Sequence, residues 1–301
     1  MSGICEGRIV IVTGSGRGLG RAYALAFARA GAKVVVNDLG TDLGGQGRDT
    51  ATAQAVVDEI EGMGGQAVAN GDDVADWVGA ERIVKTAIDR FGGLDVVVNN
   101  AGFVRDRMFV SSTPEEWDAV IRVHLRGHFC VSRHAVDYWR AENKAGRPVD
   151  ARIINTSSGA GLQGSIGQSA YASAKGGIAS LTLVQSAELA RYGITANALA
   201  PAARTRMTEG AFADKMKKVE GGFDVQDPDN IAPTVVWLGS KDSAGVTGCV
   251  FDLEGGRITI EDGWMDGPTI DKGARWDPAE IGPAVRDLLA KRKPQKKVWG
   301  T

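Results

Sequence analysis

Cysteine is scarce in this chain of 301 residues: Cys5, Cys130 and Cys249 are too few and too widely spaced for a disulfide framework or a zinc cluster, and they read as reduced, buried thiols. Histidine is equally scarce, and His124, His128 and His134 all fall in one stretch. His124 and His128 have the i, i+4 spacing that zinc sites use, but Leu125 stands where a metalloprotease helix carries its glutamate and no third ligand suggests itself, so no metal is expected. No apolar run approaches the roughly 18 residues of a membrane span, and Met1 to Arg8 lacks the apolar centre of a secretion signal. A cytoplasmic protein without a membrane partner is the expectation. An excess of one charge is missing too: the net charge of -2 leaves no basic surface for nucleic acid. Linker composition is absent, so the length is read as one large α/β unit rather than two small domains.

Glycine is abundant, and its placement is informative. T-G-S-G-R-G-L-G, Thr13 to Gly20, follows the β-branched run Ile9-Val10-Ile11-Val12, which reads as a buried strand. Leu19, Ala22, Tyr23, Ala26, Phe27 and Ala30 then recur at helical spacing, so the glycines join a strand to a helix N-terminus. Free backbone N–H groups and the positive end of the helix dipole face whatever lies over such a turn, which suits a pyrophosphate. Gly14, Ser15, Arg17, Gly18, Leu19 and Gly20 are its candidate contacts. A glycine cluster alone often marks an ordinary loop. Here a second run, Val34-Val35-Val36, ends at Asn37-Asp38 and places an acid 18 residues after Gly20, where a dinucleotide fold hydrogen-bonds the adenosine ribose.

Beyond Asp38, the glycine-rich stretch to Gly47 reads as a loop, and Ala53, Val56, Val57, Ile60 and Met63 mark a helix face. Gln66 to Ala69 is a third strand ending near Asp72-Asp73-Val74, an acid position that could meet the adenine amino group. Leu94 to Val98 is a fourth, running into Asn99-Asn100-Ala101-Gly102, read as structural support with cofactor contact. Thr113-Pro114-Glu115-Glu116 has the N-cap, the proline and the capping-box glutamate of a helix start, and this helix is expected to run past Val136. Ala151 to Thr156 forms a fifth strand ending at Ser157-Ser158. Thr195 to Leu199 is the sixth, followed by Pro201 and by Thr205, whose hydroxyl could reach a nicotinamide amide. The polar stretch Thr208 to Phe223 suits a mobile lid. Cys249 to Leu253 is a seventh strand closed by Gly255-Gly256. From Arg257 to Thr301 a tail carries Trp264, Trp276, Trp299 and a helix over Pro278 to Lys291.

The chemistry lies in Ser158, Tyr171 and Lys175. In Y-A-S-A-K the tyrosine and lysine are four apart on a helix-favouring stretch, so phenol and ammonium share a face. A phenol with a pKa of about 10 is a poor base at neutral pH, and a nearby ammonium favours its phenolate. Proton exchange with an alcohol oxygen then becomes feasible.

These motifs resemble the short-chain dehydrogenase/reductase family over roughly residues 6 to 256. The resemblance implies a Rossmann-type, doubly wound parallel sheet of about seven strands with helices on both faces, followed by a C-terminal extension from 257 to 301 packed on the domain or on a neighbouring subunit. It implies that Gly14, Gly18 and Gly20 hold the pyrophosphate of NAD, Asp38 the ribose, Asp73 with Val74 the adenine, and Asn99 to Gly102, including Asn100 and Ala101, the cofactor floor. Ser158 would orient the substrate oxygen, Tyr171 exchange its proton, and Lys175 hold the nicotinamide ribose. Two positions depart from the family pattern: His124, in R-V-H-L-R-G, replaces the usual asparagine that helps the lysine through a water, and Pro201-Ala202 replaces Pro-Gly. V-V-V-N-D-L-G, R-V-H-L-R-G and R-M-T are most similar to the (3R)-hydroxyacyl-CoA dehydrogenase units of multifunctional β-oxidation enzymes, also described as 17β-hydroxysteroid dehydrogenases. That likeness implies NAD-dependent oxidation of a secondary alcohol in an acyl-CoA or steroid, by a homodimer or homotetramer. A hydroxysteroid dehydrogenase, an NADPH-dependent 3-oxoacyl-carrier-protein reductase and a dinucleotide-sensing module without turnover are the competing readings.

Overall fold

Eight strands form one sheet in the order β3-β2-β1-β4-β5-β6-β7-β8. The computed structural model describes all residues except 1, 2, 43, 206, 207, 210–213, 215, 219, 220 and 299–301. The strands are β1 (Ile9–Thr13), β2 (Lys33–Asn37), β3 (Gln66–Asn70), β4 (Val96–Asn99), β5 (Ala151–Thr156), β6 (Ile194–Ala202), β7 (Val250–Glu254) and β8 (Arg257–Glu261). The first seven pair in parallel, and β8 pairs antiparallel with β7.

Successive strand residues face opposite sides of the sheet, and helices cover both, so the central strands read as unbroken apolar runs. On one side Val10, Val12, Val34, Val36, Val96 and Val98 pack with Tyr23 and Phe27 of α1 (Gly18–Arg29), Ile60 of α2 (Ala51–Gly62) and Val235 of α8 (Ala232–Gly239). On the other, Ile9, Ile11, Val35, Val97 and Ile153 meet Ile83 of α3 (Trp77–Phe91) and Val131 and Trp139 of α5 (Gly127–Lys144). Among the described residues no helix is long and apolar enough to cross a membrane.

The helix expected from Thr113 is present but not uniform. Its capping box forms as the sequence suggests, with Thr113 and Glu116 reciprocally bonded. Pro114–Ile121 (α4) then passes through a π-helical turn at Arg122–Arg126 before α5. Such a turn inserts one residue into the ladder and re-aims the side chains it carries, here His124. Two helices complete the substrate end: the short α6 (Gly159–Gln163) and the long α7 (Ser169–Leu189), which carries Tyr171 and Lys175.

The expected count of seven strands is one short. Gly255-Gly256 does not close the sheet but forms a two-residue hairpin, with Gly255 at φ +55. Glycine at that position frees the chain for the tight reversal, and Arg257 then lies opposite Glu254 and pairs with it at 2.6 Å. The first five residues of the expected tail therefore belong to the sheet. The helix predicted over Pro278–Lys291 (α9) forms with those bounds, opened by an Asp277–Glu280 capping box, and it buries no residue against the domain. Of the expected lid at Thr208 to Phe223, residues 210–213, 215, 219 and 220 lie outside the described residues, as does Trp299.

Candidate active site

β1 is the point where strand order reverses, since β2 and β4 leave it in opposite directions, and a crevice opens there beyond the carboxyl ends of the strands. A cleft of about 460 Å³ occupies it, running from Gly14, Gly18 and Asp38 to Ser158, Tyr171 and Lys175. The two groups of residues singled out from sequence thus share one cavity.

The glycine turn is built for close approach. Gly14 has φ +62, and a Cβ on it would stand 2.7 Å from the Ala101 Cα. A Cβ on Gly20 would lie 2.2 Å from the Gly14 carbonyl oxygen, so only glycine lets α1 start this close to β1. Gly18, at φ +53, is different: a Cβ there would meet nothing nearer than Thr205 at 3.6 Å and would project into open cleft. A hollow bounded by backbone at the N-terminus of α1 fits a pyrophosphate.

Asp38 does two things. Its Oδ2 accepts from the Gly16 N–H at 2.8 Å and its Oδ1 from the Gly40 N–H at 2.7 Å, so the carboxylate locks the turn to the end of β2 while facing the cleft. Arg17 also lines the cleft, its Nη2 donating to Thr52 Oγ1 at 3.2 Å. Ser15 is wholly buried, and its hydroxyl donates to the Val12 carbonyl at 2.7 Å, which makes it a brace for the turn. Leu19 lines the cleft. Opposite, the Asn100 amide donates to the Thr13 and Gly14 carbonyls at 3.0 and 3.1 Å, while Thr13 Oγ1 accepts from the Asn100 and Ala101 N–H groups. Thr13 had no sequence signal beyond its place before the glycines. Asn99 points into the core and bridges Ser132 and Asn155 at 2.8 and 3.0 Å, a structural role.

Asp73 and Val74 line the far end. Both Asp73 oxygens are engaged, one by the Ala75 N–H at 2.8 Å and the other by Arg122 at 2.7 Å. Arg122, which also lines the cleft, carried no sequence signal because its partner is 49 residues away. Pro201, near the end of β6, and Thr205, just beyond it, line the cleft, and Thr205 is held by reciprocal bonds with Thr208.

At the other end Ser158 caps α6, its Oγ accepting from the Ala160 N–H at 3.2 Å, and it lines the cleft together with Tyr171. Burial raises the Tyr171 phenol above its ordinary value, the Ser158 hydroxyl opposes that rise, and the Asp106 carboxylate adds to it. Asp106, which the sequence did not single out, accepts from Gln168 at 3.1 Å. Lys175 Nζ donates to the Thr156 carbonyl at 2.6 Å and lies 5.6 Å from the Tyr171 ring centroid, and burial pushes its pKa down to about 7. One donor is spoken for; the remaining N–H bonds have cleft around them, a fit for ribose hydroxyls.

His124 makes no direct hydrogen bond to Lys175 among the described residues. It is fully buried; its Nε2 is 2.6 Å from the Phe103 carbonyl oxygen and 3.1 Å from the Phe103 nitrogen, and Lys175 bonds to Thr156 instead. The ring meets Tyr171 edge to face at a centroid distance of 5.3 Å. It also lies flat on Gly102, where a Cβ would be 2.3 Å from its Cε1, which is why glycine ends the N-N-A-G stretch. With Nε2–H donated to Phe103, Nδ1 is left buried with no hydrogen-bond partner among the described residues. His128, on the same helical run, accepts from the Thr156 N–H at 3.2 Å. No cluster of three metal-ligating side chains occurs among the described residues.

Burial drives the His124 pKa from 6.5 down to about 3, the Lys175 charge adding to the effect, and moves His128 the same way. Both rings are neutral in the folded protein, whereas the unfolded chain takes up protons below about pH 6.5. Stability from these groups is therefore complete above 6.5 and is lost as pH falls from there toward 3. His124→Asn should flatten the decline of Tm between pH 6.5 and 4; thermal melts of the two proteins across that range check this, and parallel curves would refute it.

A cleft so arranged, with a phosphate cradle at one end and a hydroxyl, phenol and amine at the other, fits an oxidoreductase that acts on hydroxyl groups with a nicotinamide dinucleotide. The chain matches the short chain dehydrogenase family over residues 8–216 and belongs to it. It is 42% identical over 307 residues to the hydroxyacyl-CoA dehydrogenase ChsB1 of Mycobacterium tuberculosis, covering 98% of this chain and 93% of that protein. To the peroxisomal multifunctional enzyme type 2 of Mus musculus it is 45% identical over 253 residues, 84% of this chain but only 32% of that longer one. The crystal structure of a short chain dehydrogenase from Mycobacterium avium superposes with a TM-score of 0.89 at 58% identity, covering 99% of this chain and all of that one.

Proposed function

We propose that the protein oxidises the 3-hydroxyl of an acyl-CoA thioester to a ketone with NAD, the acyl part being a fatty chain or a steroid side chain. The observation that carries this is the meeting of Ser158, Tyr171 and Lys175 with the glycine turn in one cleft. Likeness to a hydroxyacyl-CoA dehydrogenase across 98% of the chain supports the choice of substrate.

A nicotinamide bound in the cleft supplies the hydride acceptor. Ser158, which shares the cleft wall with Tyr171, holds the substrate oxygen beside the phenol, and Tyr171 takes the hydroxyl proton. Burial favours the neutral phenol, so proton uptake depends on positive charge nearby. Lys175 provides it when protonated. Because burial also favours the neutral amine, hydrogen-bond acceptors filling its open donors are what would keep it charged. His124 acts as a positioning residue, its ring wedged between Gly102 and the face of α7 that carries Tyr171.

A panel of 3-hydroxyacyl-CoA esters, hydroxysteroids and 3-oxoacyl-carrier-protein thioesters, each with NAD(H) and NADP(H), tests the assignment. The highest kcat/KM is expected for a 3-hydroxyacyl-CoA with NAD; a preference for the carrier-protein thioester with NADPH would replace it. A homodimer or homotetramer through the helices spanning 113–140 and 171–190 is part of this reading, supported by the exposed Phe129, Leu183 and Val184 on α5 and α7. Light scattering measures it.

A further inference from the structure

We propose that the C-terminal segment 293–298 is the substrate-side wall of the cleft, pinned by Lys296 and presenting Lys297 to the anionic carrier portion of the thioester. This deepens the acyl-CoA reading above and rests on it. After α9, which buries nothing, the chain does not trail into solvent. It returns to the mouth of the cleft, where Lys296 Nζ donates to Asp252 on β7 at 2.8 Å and also pairs with Glu261 on β8. One ammonium thus ties the segment to both strands of the terminal hairpin.

The pin places the next residues over the chemistry. Lys296, Lys297 and Val298 line the same cleft as Ser158 and Tyr171, and a Cβ on Gly159, the residue after Ser158, would come within 3.9 Å of Val298 Cγ1. A second cavity of about 330 Å³ continues outward between the segment and the loop after α6, sharing Gln163, Ser165, Lys296 and Lys297 with the first. A substrate whose hydroxyl lies at Ser158 and Tyr171 therefore has an exit for its distal part along the segment. Charge pairing at this rim selects one residue. Lys296 is engaged by two carboxylates and Arg257 by Glu254, whereas Lys297 is exposed and makes no ion pair among the described residues. A phosphate-bearing carrier leaving through the exit would meet it.

Two esters of the same 3-hydroxy acid separate the parts: the coenzyme A ester, and the N-acetylcysteamine ester, which keeps the thioester and lacks the phosphates. Lys296→Met, and a chain ending at Lys293, should each raise KM for both esters about tenfold, the size of one lost charge-assisted contact, with the KM for NAD moving less than about twofold. Lys296→Arg should restore the wild-type values. Lys297→Ala should raise the ratio of the KM for the coenzyme A ester to that for the N-acetylcysteamine ester about tenfold. Trypsin cleavage of the wild-type chain after Lys297, followed by mass spectrometry, covers the case of a variant that does not fold: coenzyme A should slow it and NAD should not. Unchanged KM values in the truncated enzyme, or cleavage indifferent to coenzyme A while the ester is turned over, overturn the proposal. A wild-type enzyme that oxidises neither ester overturns the acyl-CoA reading itself.

Discussion

Tyr171→Phe is expected to lower kcat by about 10²-fold or more, the range for removing a general acid–base group, while leaving NAD binding nearly intact. The substitution keeps the ring and its edge-to-face contact with His124 and deletes only the phenolic oxygen. The phosphate cradle lies at the opposite end of the cleft, so a fluorescence titration with NADH should give an unchanged Kd. The pH profile carries a second readout. Burial raises the phenol and pushes Lys175 down to about 7, so the wild-type rate should depend on the ionisation of this pair. Turnover near the wild-type rate with an unmoved pH profile would falsify the role assigned to Tyr171.

Cofactor selectivity is the other large effect. The extra phosphate of NADP would sit beside the adenosine ribose, where Asp38 faces the cleft with its carboxylate held by Gly16 and Gly40. At ~5 Å and an effective dielectric near 20, each pair of like charges costs about 3 kcal/mol, or roughly 10²-fold in favour of NAD. Arg17 is the natural counterweight, but its guanidinium is bonded to Thr52 and would have to leave that position. Asp38→Asn, which removes the charge and keeps an acceptor for the turn, should cut the ratio of kcat/KM for NAD over NADP by about tenfold or more. Equal efficiency of the wild-type enzyme with both cofactors would refute the assignment.

Much of this site was legible in the linear sequence because its determinants are local. A β-branched run buried on both faces, a glycine that must take positive φ, a capping box and a tyrosine four residues before a lysine each depend on a few adjacent residues. The sheet, the turn at Gly14 to Gly20, the helix from Thr113 and the pairing of Tyr171 with Lys175 on α7 follow from such patterns. What the pattern could not supply was the partner of each polar group. Asp38 serves Gly16 as well as facing the cleft, Asp73 is matched by Arg122, and Lys175 bonds to the end of β5 rather than to the helix that carries His124. The support of Lys175 by His124 was expected from family likeness at one position, and the sequence did not show that the π-helical turn would set that ring against Gly102 and Phe103. The eighth strand was missed because Arg257–Glu261 has no buried residue and is held by pairing with β7 rather than by its own burial. The return of Lys296 to Asp252, 44 residues back along the chain, was equally invisible. Local backbone preference is written residue by residue, whereas a hydrogen bond or ion pair between distant segments exists only once the packed sheet and helices have fixed where both partners stand.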